Sequence, residues 1–248
     1  GWSSGSGTDH DFTTIKYNSS GVQQWVERYN GHGNSGDVPS SLVVDGSGNV
    51  YVTGYSLGSG TDQDFATIKY NLSGVQQWVA RYNGPGNSDD WPRSIAVDVS
   101  GNVFVTGSSF GSGTNSDYAT LKYNSSGVQQ WVARYNGPGN WSDESKSISL
   151  DGSGNVYVTG FSSVGVGINP DYASLKYNSS GVQQWVARYN YTDDAADAIA
   201  LDGSGNVYVT GNSRGIGTYE DYATIKYSQS ISIRQISSVV PERFSLLQ

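Results

Sequence analysis

The chain has 248 residues, of which only 15 % are charged, with 33 glycines, 18 tyrosines and 7 tryptophans and neither cysteine nor methionine. A net charge of −8 argues against nucleic-acid binding, which needs basic surface to neutralise phosphate. The lack of cysteine excludes disulfides, thiolate metal sites and thiol nucleophiles. No apolar run approaches the roughly 20 residues that span a bilayer, so a soluble chain with no transmembrane segment is expected. Gly1 is not an initiator methionine, so the N-terminus is expected to be a product of processing.

The elements recur along the chain. One unit reads from Ser94 to Asn136. SIAVD (94–98) alternates as a strand, called A; VSGN (99–102) supplies Gly and Asn for a hairpin turn; VFVTG (103–107) is a β-branched strand, B. After a Gly/Ser loop, YATLKYN (118–124) forms strand C, SSG (125–127) turns the chain, and VQQWVARYN (128–136) forms strand D. The VQQW tryptophans, Trp25, Trp78, Trp131 and Trp185, stand 53, 53 and 54 residues apart. Residues 64–87 and 117–140 match at 21 of 24 positions, which puts the repeat beyond chance.

Four antiparallel strands per roughly 53 residues define a propeller blade. Each strand carries a mostly apolar or aromatic row and a mixed row, which suits sheets stacked face to face. A parallel β-helix is the rival and ranks well behind, because its coils are shorter and lack two hairpin turns per repeat. The expected fold is all-β: a β-propeller of four-stranded antiparallel blades over residues 1–227, four blades with five as the alternative, followed by an extended tail over 228–248.

Strand counting adds an assembly argument. The chain starts with C (12–17) and D (22–29), runs through three ABCD units, and ends with A (197–202), B (206–211) and C (222–227). The first C–D pair is expected to complete the last A–B pair, closing a ring with strands from both termini. One C strand is then surplus, free to join its own sheet edge or to pair with another subunit. The candidate assembly residues are Phe12, Ile15 and Tyr17 of the first C strand and Tyr222, Ile225 and Tyr227 of the last. Val240, Phe244 and Leu246 of the tail complete the set. A homo-oligomer or filament is the expected partner state.

Repetition argues against catalysis, since an active site needs unlike residues around one point and so breaks symmetry. No catalytic, cofactor or metal residue is assigned. His10 and His32 lie in Gly/Ser/Asp-rich loops and read as ordinary loop histidines. The Asp45/Asn49, Asp98/Asn102, Asp151/Asn155 and Asp202/Asn206 pairs flank the A–B turns; calcium is a weak reading there, and side chains bonding their own turn backbone is the favoured one. Acidic loops at Asp89/Asp90, Asp143/Glu144 and Asp193/Asp194 are read as solvated loop charge, with a shallow cation ring as the minor alternative. Lysines at 16, 69, 122, 176 and 226 and arginines at 28, 81, 134 and 188 sit at repeated strand positions and are expected to pair with carboxylates. Trp91 and Trp141, at roughly equivalent positions before strand A, are candidate sugar-stacking residues, so a glycan is a second candidate partner.

The pattern DGSGNVYVTG followed by DYATIKYNSSGVQQWVARYNG resembles the bacterial SBBP-type β-propeller repeat, over about residues 8–227. The resemblance implies an extracytoplasmic protein with no catalytic residues to carry over. The family is named for a seven-bladed propeller, whereas about four repeats stand here. VVPERFSLLQ (239–248) resembles the lead-in to a type IX secretion sorting domain, which implies export to the cell surface or medium. The expectation is therefore a secreted, non-enzymatic structural or self-assembling propeller, with a polysaccharide- or surface-partner-binding module as the alternative.

Overall fold

The structure is a computed structural model and describes residues 1–5, 9–165, 170–190, 194–214 and 220–228. It divides into two compact units, Gly1–Arg134 and Tyr135–Gln248. Among the described residues, apart from a 3₁₀ turn at His32–Asn34, the regular elements are antiparallel strands. Tail residues Val240, Phe244 and Leu246 lie outside the described residues.

The first unit holds three sheets. Sheet 1 comprises β1 (Trp2–Ser4), β2 (His10–Tyr17) and β3 (Gln23–Tyr29). Sheet 2 comprises β4 (Asp37–Val44), β5 (Val50–Leu57), β6 (Gln63–Tyr70) and β7 (Gln76–Tyr82). Sheet 3 comprises β8 (Asp90–Val97), β9 (Val103–Phe110), β10 (Ser116–Tyr123) and β11 (Gln129–Tyr135), whose last residue falls across the unit boundary. In the second unit, sheet 4 comprises β12 (Asp143–Leu150), β13 (Val156–Ser162), β14 (Asp171–Tyr177) and β15 (Gln183–Tyr189). Sheet 5 comprises β16 (Ala195–Leu201), β17 (Val207–Arg214) and β18 (Glu220–Tyr227).

Sheets 2, 3 and 4 are thus the ABCD blades expected from the sequence, in that order across each sheet. The terminal pairing differs from expectation. β17 takes β18 as its neighbour, and β2 lies between β1 and β3, so the first C–D pair does not complete the last A–B pair among the described residues. The reason is chain entropy: two equivalent C strands compete for β17, and the one a short loop away costs least to bring up.

Strands A and B are also longer than the alternation suggested. β8 starts at Asp90 instead of Ser94, because a register shift between Pro92 and Ser94 carries the ladder past the proline. Gly107 lies opposite that shift; a Cβ there would meet the Trp91 carbonyl oxygen and stand 2.6 Å from Pro92 Cα. Only glycine lets the two backbones approach so closely. Beyond it β9 continues to Phe110, turning Ser108 and Ser109 from loop into buried strand.

Core formation follows the pleat. In the first unit Tyr51, Phe65 and Ala80 on one face of sheet 2 pack with Ile95, Val103, Val105 and Leu121 of sheet 3. Val50, Val52, Ile68 and Tyr70 on the other face of sheet 2 pack with Phe12, Trp25 and Tyr29 of sheet 1. The second unit repeats the arrangement, with Tyr157 and Tyr172 of sheet 4 against Ile199, Val207, Val209 and Ile225 of sheet 5. Each internal blade buries both faces, so its central strands are apolar on both sides of the pleat.

Candidate functional site

The most elaborate side-chain arrangement is a polar knot repeated in the four-stranded blades. In sheet 2 the Arg81 guanidinium donates to the Tyr29 hydroxyl (3.2 Å), to Oγ (2.6 Å) and the carbonyl (2.7 Å) of Ser56, and to Asp64 Oδ2 (3.1 Å). Arg134 in sheet 3 makes the same set with Tyr82, Ser109 and Asp117. Arg188 in the second unit does so with Tyr135, Ser162 and Asp171, the last at 2.6 Å. Arg81, Arg134 and Arg188 thus pair with carboxylates as expected. A planar fork with several fixed acceptors loses little freedom on binding, which suits arginine to this half-buried position.

Beside each knot sits a second carboxylate at the start of strand A. Asp37, Asp90 and Asp143 are at most 1 % exposed, and Asp194, just before β16, is at 0 %; burial of Asp90, Asp143 and Asp194 corrects their reading as solvated loop charge, while Asp193 lies outside the described residues. Asp37, Asp90 and Asp143 each accept a 2.6 Å bond from a backbone amide six residues upstream, on Gly31, Gly84 and Gly137. Burial pushes the Asp90 carboxyl up to about 6, opposed by the Gly84 amide and the Ser109 hydroxyl. Burial likewise raises Asp37. Sequence reasoning missed Asp37, Ser56 and its equivalents, and the tyrosine hydroxyls; the signal was present, since Gly31 and Asp37 recur one repeat later as Gly84 and Asp90.

The A–B turns behave as the favoured reading had it. Asp45 Oδ1 accepts from the Ser47 and Asn49 amides, and Oδ2 accepts from Asn49 Nδ2 (2.7 Å) and the Tyr51 hydroxyl (3.0 Å). Burial opposes ionisation of Asp45, but these donors outweigh it and its pKa is lowered. Both oxygens are occupied by the turn itself, which leaves the calcium reading no support from the donor set. Where carboxylates were expected, the strand-C lysines Lys16 and Lys69 donate to the carbonyls of Leu72 (3.2 Å) and Ser125 (3.4 Å). Lys69, Lys122, Lys176 and Lys226 lie 5.1–5.2 Å from the rings of Tyr51, Phe104, Tyr157 and Tyr208 across the B–C pair.

The two candidate stacking tryptophans occupy different places. Trp91 is the second residue of β8, half-buried, with its indole N–H on Gln63 Oε1 (2.6 Å) and its ring edge-on to Phe110. Trp141 lies in the loop two residues before Asp143, so the two are not equivalent positions. His10 begins β2, 3.1 Å from Asp9 and edge-on to Trp2; His32 lies in the 3₁₀ turn. Among the described residues no group of three or more acidic, histidine or cysteine side chains is placed to hold a metal ion.

The candidate assembly residues divide by strand and pleat. Phe12 is buried against Tyr29, whereas Ile15 and Tyr17 are 41 % and 56 % exposed. Ile225 is buried and Tyr227 stacks on Trp185, whereas Tyr222 is 85 % exposed. A cavity of about 510 Å³ opens beside β2, lined by Trp2, Thr14, Ile15, Leu42 and Val52 among others.

Blades of four antiparallel strands, repeated about every 53 residues and stacked through both faces, define the β-propeller class. Three copies of the SBBP β-propeller repeat are found, over residues 24–60, 77–113 and 130–165. A curated relative, an uncharacterised WD repeat-containing protein of Acanthamoeba polyphaga mimivirus, is 28 % identical over 233 residues, covering 79 % of this chain. The chain spans 15 % of that relative's length. Among solved structures, a protein of unknown function from Dyadobacter fermentans superposes with a TM-score of 0.55 at 10 % identity, over 87 % of this chain and 68 % of that one. That likeness concerns the fold alone. The β-propeller domain of the Trilobed protease from Pyrococcus furiosus (TM-score 0.48, 6 % identity, 78 % of this chain and 55 % of that) is similar at a looser level. So is Bacillus subtilis levansucrase (TM-score 0.44, 10 % identity, 79 % and 68 %), and neither likeness transfers chemistry.

Proposed function

We propose that the chain is a secreted, non-enzymatic structural module of a bacterial cell surface that assembles through its terminal sheets. One observation carries this reading: the two ends expose the surfaces that the internal blades bury. Ile15 is 41 % exposed, whereas its equivalents Ile68, Leu121 and Leu175 are at 0 %. Tyr222 is 85 % exposed, whereas Phe65, Tyr118 and Tyr172 are at 0 %. Ile15 belongs to the row that packs towards a preceding blade, and Tyr222 to the row that packs towards a following one. The two ends therefore carry opposite halves of one interface, and contact between unlike patches on successive copies propagates head to tail.

The repeated knots favour a structural role over catalysis, because their charged groups are locked to fixed partners and repeated without variation. Export is supported by the SBBP-type repeat and the sorting-domain-like tail. Glycan binding is the second reading and rests on Trp141, half-buried in a loop; loss of glycan-array signal in Trp141→Ala would establish it in place of assembly.

The test is light scattering across protein concentration, with electron microscopy of the same samples. The wild type is expected to form concentration-dependent oligomers or filaments, and Ile15→Lys and Tyr222→Lys each to reduce them to monomer. A wild type that stays monomeric at every concentration would sink the proposal.

A further inference from the structure

We infer that the open edge of β2, with the cavity beside it, is a seat for the A–B hairpin of a second copy, β16–β17. The inference rests on the reading that copies assemble through their terminal sheets, and it puts a strand exchange in place of the contact at Tyr222. β1 pairs only with the first part of β2, through Trp2–Phe12, Ser3–Asp11 and Ser4–His10, and Gly1 and Thr13 exchange amide and carbonyl bonds just beyond. From Thr14 to Tyr17 that edge of β2 meets no strand among the described residues. Hydrogen-bonded pairs alternate in antiparallel sheets, so after Thr13 the backbone groups of Ile15 and Tyr17 point to the open edge.

The internal blades show what such an edge accepts. Each C strand is held there by a B strand, as in Val50–Tyr70, Tyr51–Lys69, Val52–Ile68 and Thr53–Thr67. The B-strand aromatic performs two further tasks. It lies across from the C-strand lysine, as Tyr51 does for Lys69. It also covers the strand-A aliphatic of the next blade, as Tyr51 does for Ile95 and Tyr157 for Ile199. At the open seat both tasks are undone. Lys16 pairs with Trp25 of β3 and donates to the Leu72 carbonyl but has no strand on its open side, and Leu42, which lines the cavity, is 53 % exposed where Ile95, Ile148 and Ile199 are 7–8 %.

β17 is the strand that fits. Its present partner β18 ends Thr224-Ile225-Lys226-Tyr227, and β2 ends Thr14-Ile15-Lys16-Tyr17, the same four residues in the same register position. Exchanging β18 for β2 therefore preserves the pairs that Val207 to Thr210 already make, while Gly211 to Arg214 would take the His10–Thr13 edge of β2 from β1. It also adds a strand: β2 brings β3, so β16, β17, β2 and β3 form an ABCD sheet where sheet 5 now has three strands. Tyr208 would then face Lys16 and cover Leu42. Exchange of equivalent elements between copies is a low-cost route to assembly when the local contacts are the same in both states.

The experiment uses the natural absence of cysteine. In the exchanged register Lys16 and Tyr208 oppose each other as a non-hydrogen-bonded pair, close enough for a disulfide. The single variants K16C and Y208C are mixed, oxidised and run on a non-reducing gel, against a Y208C/K226C variant that reports the pairing within sheet 5. The expected result is a covalent dimer carrying one chain of each variant, confirmed by mass spectrometry of the linked peptides. It is overturned if the mixture yields no such dimer while Y208C/K226C closes within single chains. Wild-type oligomers that persist without the cross-link would sink the exchange and leave the assembly reading standing; a wild type that is monomeric throughout sinks both.

Discussion

β14 and β18 are nearly the same sequence in opposite circumstances. DYASLKY in sheet 4 and DYATIKY in sheet 5 differ by two conservative changes, yet Tyr172 is at 0 % exposure and Tyr222 at 85 %. Ser174 is buried and Thr224 exposed. What separates them is the neighbour: β14 has β15 on its outer edge, and Tyr172 packs against Ala196 and Ile199 of the next sheet. Burial in a stacked-repeat protein is decided one blade away, so its stability behaves as a sum of blade and interface contributions. Tyr172→Ala should therefore cost about 3–5 kcal/mol, the range for emptying an aromatic site in a core. Tyr222→Ala should cost less than about 0.5 kcal/mol in the monomeric state, as surface substitutions do. Urea midpoints of the two variants check this, and equal losses would break the comparison.

A smaller effect tests whether the interior is as closed to water as this comparison implies. Asp90 carries a carboxyl raised by burial to about 6, above its ordinary value of 3.8. A folded-state pKa above the unfolded one means the folded protein takes up the proton first as pH falls. This group's stabilising contribution is absent at pH 7, grows as pH drops through about 6, and is complete below the unfolded value. The gain is on the order of 3 kcal/mol. Other carboxylates, Asp45 and Asp151 among them, are shifted downward and work in the opposite direction, so the difference between wild type and Asp90→Asn is the quantity to measure. Denaturant midpoints between pH 7 and 4 should show the wild type gaining relative to the variant. Parallel pH profiles would mean that Asp90 is ionised and solvated after all.

What could be read in the sequence follows the same division. The strands, their order and the turns are encoded locally, by alternation, by Asn-Ser-Ser-Gly and Asp-Gly-Ser-Gly-Asn, and by a repeat length that ranks a propeller blade well ahead of a β-helix coil. The bulge at Pro92–Ser94 was hidden because a proline and an aspartate read as loop; only the glycine opposite, Gly107, marks the spot, through an approach that depends on the partner strand. The polar knots escaped for a related reason. Asp90 reads as surface charge until the Gly84 amide and the Ser109 hydroxyl are brought to it from other elements. The terminal pairing was hidden because β2 and β18 offer β17 the same Thr-Ile-Lys-Tyr, so side-chain pattern cannot rank them and only the shorter connection to β18 does.

The turns supply the sharpest version of the comparison, because they should ignore it. Asn124 Oδ1, at the C–D turn of sheet 3, accepts from the Ser126 and Val128 amides at 3.0 Å each. Asn18, at the C–D turn of sheet 1, accepts from Ser20 and Val22 at 3.0 and 2.9 Å. The following glycines hold positive φ, 80° at Gly127 and 77° at Gly21, as the turn requires. Everything the asparagine does is completed within four residues, so the presence or absence of a neighbouring strand should not enter. Asn18→Ala and Asn124→Ala are expected to destabilise by the same amount, about 1 kcal/mol for the lost bonds to turn amides that water can partly replace. Matched losses in urea titrations would place the boundary between local and neighbour-determined structure at the edge of the hairpin. A markedly larger loss at Asn124 would mean that even the turns draw stability from the adjoining blade.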